Sequence, residues 1–332
     1  MRWQISNLDI DGSIPAQKRL FSRVDNVVSL RQHEQGLRLW TSRHGLDTVR
    51  QHVKSLMSDP HSKQIVFYGT GDLNHLSSVL IEELPESAKP LTVVLFDNHP
   101  DWFALPPRYH CGNWVANVLK LEWVERVILI GQNSDDLKGR DFWFSPFTEL
   151  LSGRLIIFPF QKESVRVPLI KADNSKMSYC SAQTVCTSYS IGSELRFPTV
   201  TKLGMDGLVE EVSKLLKGKN VYIAIDKDVL RKDDVQCDWE QGQLPLQDLL
   251  TVLSSMNMEA NIVGADICGE RSPQPLKNFI KRIDAGRLFE PAMTEQKFQA
   301  ASELNERSNL AIVEALTAAH KTTAKTREVL CT

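Results

Sequence analysis

Two short blocks hold the residues best suited to chemistry. Asp97-Asn98-His99-Pro100-Asp101 follows the apolar run Thr92-Val93-Val94-Leu95-Phe96, and Asp226-Lys227-Asp228 follows Val221-Tyr222-Ile223-Ala224-Ile225. In both blocks every other residue is of a metal-ligating type. Near a strand end, a spacing of two sets side chains on one face. Two such ends side by side in a parallel sheet would gather four carboxylates and an imidazole in one crevice. Alone, those carboxylates repel and raise one another's pKa; divalent cations would keep them ionised. A third strand-like run, Ile65-Val66-Phe67-Tyr68, ends in Gly69-Thr70-Gly71-Asp72-Leu73-Asn74-His75, where His75 is a candidate sixth ligand. This glycine pair lacks the third glycine and the Lys-Ser/Thr of nucleotide-binding loops.

The elements that must position these blocks read as alternating strands and helices. Further strand-like runs are Arg126–Ile130, Arg154–Phe158 and Asn261–Ala265. Helical spacing is expected over His75–Glu83, Trp114–Trp123, Asp206–Leu216 and Pro245–Met256. Continuous apolar strands between helices predict an α/β chain with a parallel sheet covered on both faces. Open sheets of this kind bind ligands beyond the carboxyl ends of their strands, where the aspartates fall. The polar stretch 161–204 is expected to be an insertion, hairpin or lid. The tail from 294 contains the amphipathic stretch Ser302–Ala319, expected to dock as a surface helix. With no repeat and no low-complexity linker, a single domain over 1–332 is expected.

The 332 residues are 42% hydrophobic and 24% charged, enough for a large core, with net charge −2. No basic excess points to nucleic acid or an anionic membrane. The N-terminus lacks an apolar signal core, and no apolar stretch approaches membrane-spanning length. Cys111, Cys180, Cys186, Cys237, Cys268 and Cys331 are scattered without a CxxC pair, so reduced thiols in a cytoplasmic protein are expected, although Cys180 and Cys186 are close enough in sequence to pair.

The order of the three blocks, Gly69–His75, Asp97–Asp101 and Asp226–Asp228, resembles the Gly-Gly-Asp-His, Asp-x-His-x-Asp and Asp-x-Asp series of the arginase and agmatinase family of ureohydrolases. The resemblance covers about residues 65–270 by block order. It implies a three-layer α/β/α fold with a mostly parallel open sheet, and a binuclear manganese centre that hydrolyses guanidino or amidino groups. By motif, His75, Asp97, Asp101 and Asp226 would hold one Mn2+, and Asp97, His99, Asp226 and Asp228 the other. Iron, nickel or zinc also suit such ligands. The resemblance further implies attack by a metal-activated hydroxide, with Asp228 handling its proton. His110 is the candidate acid for the leaving amine, and Glu270 the candidate guanidinium clamp. The partner would be a small guanidino or amidino molecule, and such enzymes commonly form homo-oligomers.

The chain departs from that pattern at named places. Two residues, Leu73 and Asn74, separate Asp72 from His75. Cys111 stands between His110 and Gly112, where the family has His-Gly. Trp102-Phe103 follows Asp101 where the family has an asparagine for the amino-acid end of arginine, so free arginine is not the expected substrate. Glu270 lies four residues after Asp266 rather than three. Lys227 should point away from its aspartate neighbours, as one half of an ion pair. Asp238, Trp239 and Trp102 could line the entrance or simply pack. Two other readings stay open: a deacetylase-like zinc amidohydrolase, and a non-catalytic metal-binding or interaction protein of the same fold.

Overall fold

The computed structural model describes residues 2–103, 109–137, 142–168, 181–186, 191–286 and 294–318. Among the described residues thirteen strands run in chain order: β1 Arg2–Asp9, β2 Asn26–Ser29, β3 Trp40–Thr41, β4 Ser62–Gly69, β5 Leu91–Phe96, β6 Tyr109–His110, β7 Val124–Ile130, β8 Leu155–Phe158, β9 Ser164–Pro168, β10 Ser181–Cys186, β11 Ile191–Arg196, β12 Asn220–Asp226 and β13 Asn261–Cys268. Eight form the central sheet, in the order β2-β1-β4-β13-β12-β5-β7-β8. Every pairing in it is parallel.

The strands are apolar because both faces are covered. Val66, Tyr68, Val93, Leu95, Val127 and Leu129 pack with Leu46, Val49 and Val53 of the helix Arg43–Met57 and with Leu76, Val79 and Leu80 of the helix Leu76–Glu82. Their alternates Ile65, Phe67, Val94, Phe96, Ile128 and Ile130 pack with Leu208 and Val212 of the helix Val200–Leu216, Leu249 and Leu253 of Leu246–Glu259, and Ile312 and Val313 of Glu295–Thr317. One helical layer on each side of one sheet is the expected three-layer α/β/α architecture. No helix among the described residues is long and apolar enough to cross a membrane.

Differences from the sequence expectations have physical causes. β1 and β2 escape hydropathy because β1 interleaves Trp3, Ile5 and Leu8 with polar residues. Its Ser6 is buried and donates to Gln64 Oε1 on β4 at 2.9 Å. The helix expected over Trp114–Trp123 stops at Val118, and a turn leads into β7. Within 161–204 the described residues form a three-stranded antiparallel sheet, β10-β11-β9, followed by the start of the helix at Val200. Val165, Val167 and Leu195 anchor it in the core, and none of its described residues lines the main cavity. Cys180 and Cys331 lie outside the described residues; Cys111, Cys237 and Cys268 are free and buried.

Candidate metal centre

β5 and β12 are direct neighbours in register, Ile225 beside Phe96. The residues that follow them are therefore forced together at the carboxyl end of the sheet. Asp97, His99, Asp101, Asp226 and Asp228 all line one cavity of about 530 Å3, with Gly71, Asn74, His110, Asp136, Trp239 and Asp284. Among the described lining residues there is no lysine or arginine.

Local turns fix each ligand. The Asp97 carboxylate accepts the His99 N–H at 2.7 Å, and Asp226 accepts the Asp228 N–H at 3.1 Å. These bonds curl the chain just past each strand and aim alternate side chains inward. Asp228 takes the Asn98 N–H at 3.0 Å through one oxygen and faces His99 Nδ1 at 2.9 Å through the other. The ligand atoms of Asp97, His99 and Asp228 lie within 4.8 Å of one another. Asp226 sits between two glycines: a Cβ on Gly71 would come 2.6 Å from one carboxylate oxygen, and a Cβ on Gly269, at φ +82°, 2.4 Å from the other. Any side chain at either place would push into the carboxylate. Asp101 has a left-handed backbone, φ +47°, uncommon for a residue with a side chain.

The electrostatics describe a centre short of positive charge. Burial, then the charges of Asp101 and Asp228, push Asp97 well above the usual carboxylate range. Burial, then Asp228, does the same to Asp226. Asp101 is pushed up to about 7, mainly by burial. Burial opposes charge on His99, but the Asp228 and Asp97 carboxylates together outweigh it and raise the imidazole's pKa. Protons here do what a cation would do better, and the donor set of carboxylates plus one imidazole fits a divalent metal.

Two expected residues are not brought into this group. His75 is buried, neither ring nitrogen has a hydrogen-bond partner, and burial depresses its pKa to about 3. The turn Gly71–Leu73 instead delivers Asn74, whose Nδ2 donates to Asp97 Oδ2 at 2.9 Å and Asp101 Oδ2 at 2.8 Å. Glu270 is buried away from the cavity lining and pairs with Lys227. It also accepts from Gln17 at 2.7 Å, Asn305 at 3.0 Å and Asn309 at 2.7 Å. A carboxylate so fully occupied has no lone pair left to clamp a guanidinium. The ion pair expected of Lys227 is thus present, and its partner is the acid expected to bind substrate.

His110 does line the cavity. Its Nδ1 accepts the Gly112 N–H at 2.9 Å, which leaves the ring proton on Nε2, 4.0 Å from Asp284 Oδ2. Of the residues expected at the entrance, only Trp239 lines it. Trp102 is fully buried against Phe142, and Asp238 is buried against Arg271 and Thr70. Sequence reasoning missed Asn74, Asp136 and Asp284. Asn74 stands beside the expected histidine, so its polarity was visible but its orientation was not. Asp136 and Asp284 belong to no strand-end block and carried no signal.

No protein-family model matches the chain. A Thermotoga maritima protein described only as uncharacterized is 27% identical over 219 residues, 66% of this chain and 62% of that protein's length, so the match spans less than two thirds of the relative. Solved structures are similar over nearly the whole chain. Proclavaminate amidino hydrolase from Streptomyces clavuligerus is 14% identical, with 96% of this chain and 92% of that one covered at a TM-score of 0.56. Formimidoylglutamase from Bacillus subtilis is 13% identical, with 96% and 88% covered at 0.57. Arginase from Medicago truncatula is 14% identical, with 95% and 86% covered at 0.57. The chain thus has the three-layer fold of these hydrolases, with a carboxylate-rich crevice at the strand ends where such sheets bind their ligands.

Proposed function

We propose that this chain is a divergent member of the arginase and agmatinase family, a metal-dependent hydrolase that cleaves a C–N bond in a small guanidino or amidino substrate other than free arginine. The convergence of Asp97, His99 and Asp228, with Asp226 beside them, at the base of an acid-lined cavity carries this reading. These residues would hold the metal, with manganese as the proposed ion and iron, nickel or zinc as alternatives. A divalent cation bound there would polarise the substrate carbon and make water a nucleophile at neutral pH.

The chain's own groups supply the rest. The acidic lining draws in a cationic amidinium. Trp239 and Phe103 wall the cavity and limit water. An Asp228 carboxylate oxygen accepts the proton of the attacking water. That proton passes from Asp228 to the leaving amine, which His110, lining the cavity, positions through its Nε2–H. We read the protein as cytoplasmic, with a small-molecule partner and self-association of the kind common among such enzymes.

One observation favours a second reading. The compact group contains Asp97, His99 and Asp228 without His75, and this is the ligand set of a deacetylase-like amidohydrolase built on a single zinc. A panel of guanidino, formimino and acylamine substrates, assayed with manganese and with zinc, separates the two. Urea or ammonia release that Asp226→Asn abolishes supports the leading reading. Acylamine cleavage alone supports the second. Tight metal binding without turnover on any of them leaves a non-catalytic metal-binding protein.

A further inference from the structure

We infer that the crevice holds one strong cation position rather than two equivalent ones, because the Asn74 carboxamide occupies the place of the second. This inference rests on the metal-dependent reading above.

Asn74 is 2% exposed, and its amide is held at both ends. Nδ2 spends its two N–H groups on Asp97 Oδ2 and Asp101 Oδ2, at 2.9 and 2.8 Å. Oδ1 lies 3.3 Å from Tyr68 OH and 3.4 Å from Ser77 Oγ. Those two hydroxyls are themselves tied to Asp266 Oδ1, each at 3.0 Å. Turning the amide over would set Oδ1 against two carboxylate oxygens and remove the N–H groups that bind them. The orientation is therefore dictated by its neighbours.

An amide nitrogen held this way offers no lone pair to a metal. Its N–H groups bridge Asp97 and Asp101, as a second cation would. Trp114 Nε1 adds another donor to Asp101 Oδ2 at 2.9 Å. His75, the residue of ligating type on this turn, contributes nothing, since it does not line the cavity. On the other side His99 Nδ1 faces Asp228 at 2.9 Å and keeps an imidazole in the ligand set. The two halves of the crevice differ by one imidazole and by two hydrogen bonds that a second ion would have to break. With a single dication the four carboxylates keep a net negative charge, which is available to a cationic substrate.

The test is metal stoichiometry, read without activity. The full chain is loaded with Mn(II), dialysed, and measured by elemental analysis, calorimetric titration and electron paramagnetic resonance. The expected result is about one equivalent per chain with an isolated-ion spectrum. A second equivalent should bind ~100-fold more weakly or worse, at least the loss that follows removal of one supporting partner. Asn74→His should raise the content to about two, with an exchange-coupled spectrum. If that variant does not fold, the nearly isosteric Asn74→Asp replaces the amide with a ligand and should also gain the second ion. Two equivalents of similar affinity in the wild type, or a folded Asn74→Asp still holding one, overturns the inference. No bound metal at all overturns the metal-dependent function as well, so the two failures are distinguishable.

Discussion

Asp226 and Glu270 leave neighbouring strands, β12 and β13, at the same end of the sheet, yet they are completed in opposite ways. Asp226 joins Asp97, Asp101 and Asp228 at an open cavity whose described lining contains no lysine or arginine. Glu270 is closed in with Lys227 and the amides of Gln17, Asn305 and Asn309. Lys227 stands directly between Asp226 and Asp228, and alternation along the chain turns it to the other side. One residue's offset decides which carboxylate receives a covalently attached countercharge. A buried acid so supplied is structural, whereas acids left without one await an ion from solution.

The largest effect should come from the open cluster. Asp97→Asn is expected to weaken Mn(II) binding by more than ~100-fold. The wild type should gain about 2.7 kcal/mol of stability at a free metal concentration a hundred times its Kd, and the variant at most about 0.4 kcal/mol. Thermal unfolding with and without Mn(II) measures both. An unaltered metal-induced shift in the variant would dissolve the contrast between the two clusters.

Glu270→Gln probes the closed cluster. It leaves the Lys227 ammonium buried without its partner, and is expected to cost about 3–5 kcal/mol in denaturant unfolding. Lys227→Met in the same chain should recover much of that loss. If Glu270 were a substrate clamp, stability would hold and KM alone would rise.

A smaller effect concerns pH. Burial pushes Asp266, between Tyr68 and Ser77, from 3.8 up to about 7. The folded state then keeps a proton that the unfolded chain has released. Stability contributed by that proton is full below about pH 4 and is lost as pH rises to about 7, with a slope of at most about 1.4 kcal/mol per pH unit. Denaturant midpoints should therefore fall from pH 5 to pH 8, and Asp266→Asn should flatten part of the decline. Asp238, also raised to about 7 by burial, supplies some of the remaining slope. An unchanged slope in Asp266→Asn would show that this acid is ionised in the folded protein.

Strand-end positions were legible because they depend on local rules. Apolar runs of strand length mark β4, β5, β7, β8, β12 and β13, and a period of two sets Asp97, His99, Asp226 and Asp228 on one side. Those four do meet at one cavity, as their spacing requires. β1 and β2 were not legible, because polar residues such as Ser6 are satisfied by Gln64 of a strand far along the chain. The fate of His75 was equally hidden. A tight turn rotates successive side chains widely, so Asn74 lines the cavity and its neighbour His75 does not.

By itself, then, the sequence determined an α/β chain with carboxylates at the ends of parallel strands, since strand periodicity and the handedness of β-α-β connections leave little freedom. Only the tertiary structure decided which acids are left open and which are closed in with a countercharge. That choice is made by partners 13 to 39 residues away: Asn305 and Asn309, carried in on the helix Glu295–Thr317, close Glu270, and Trp114 and Asn74 share Asp101. The physical reason is range. Backbone geometry is set within a few residues, but whether a buried charge is balanced depends on every group the fold brings within a few ångströms of it.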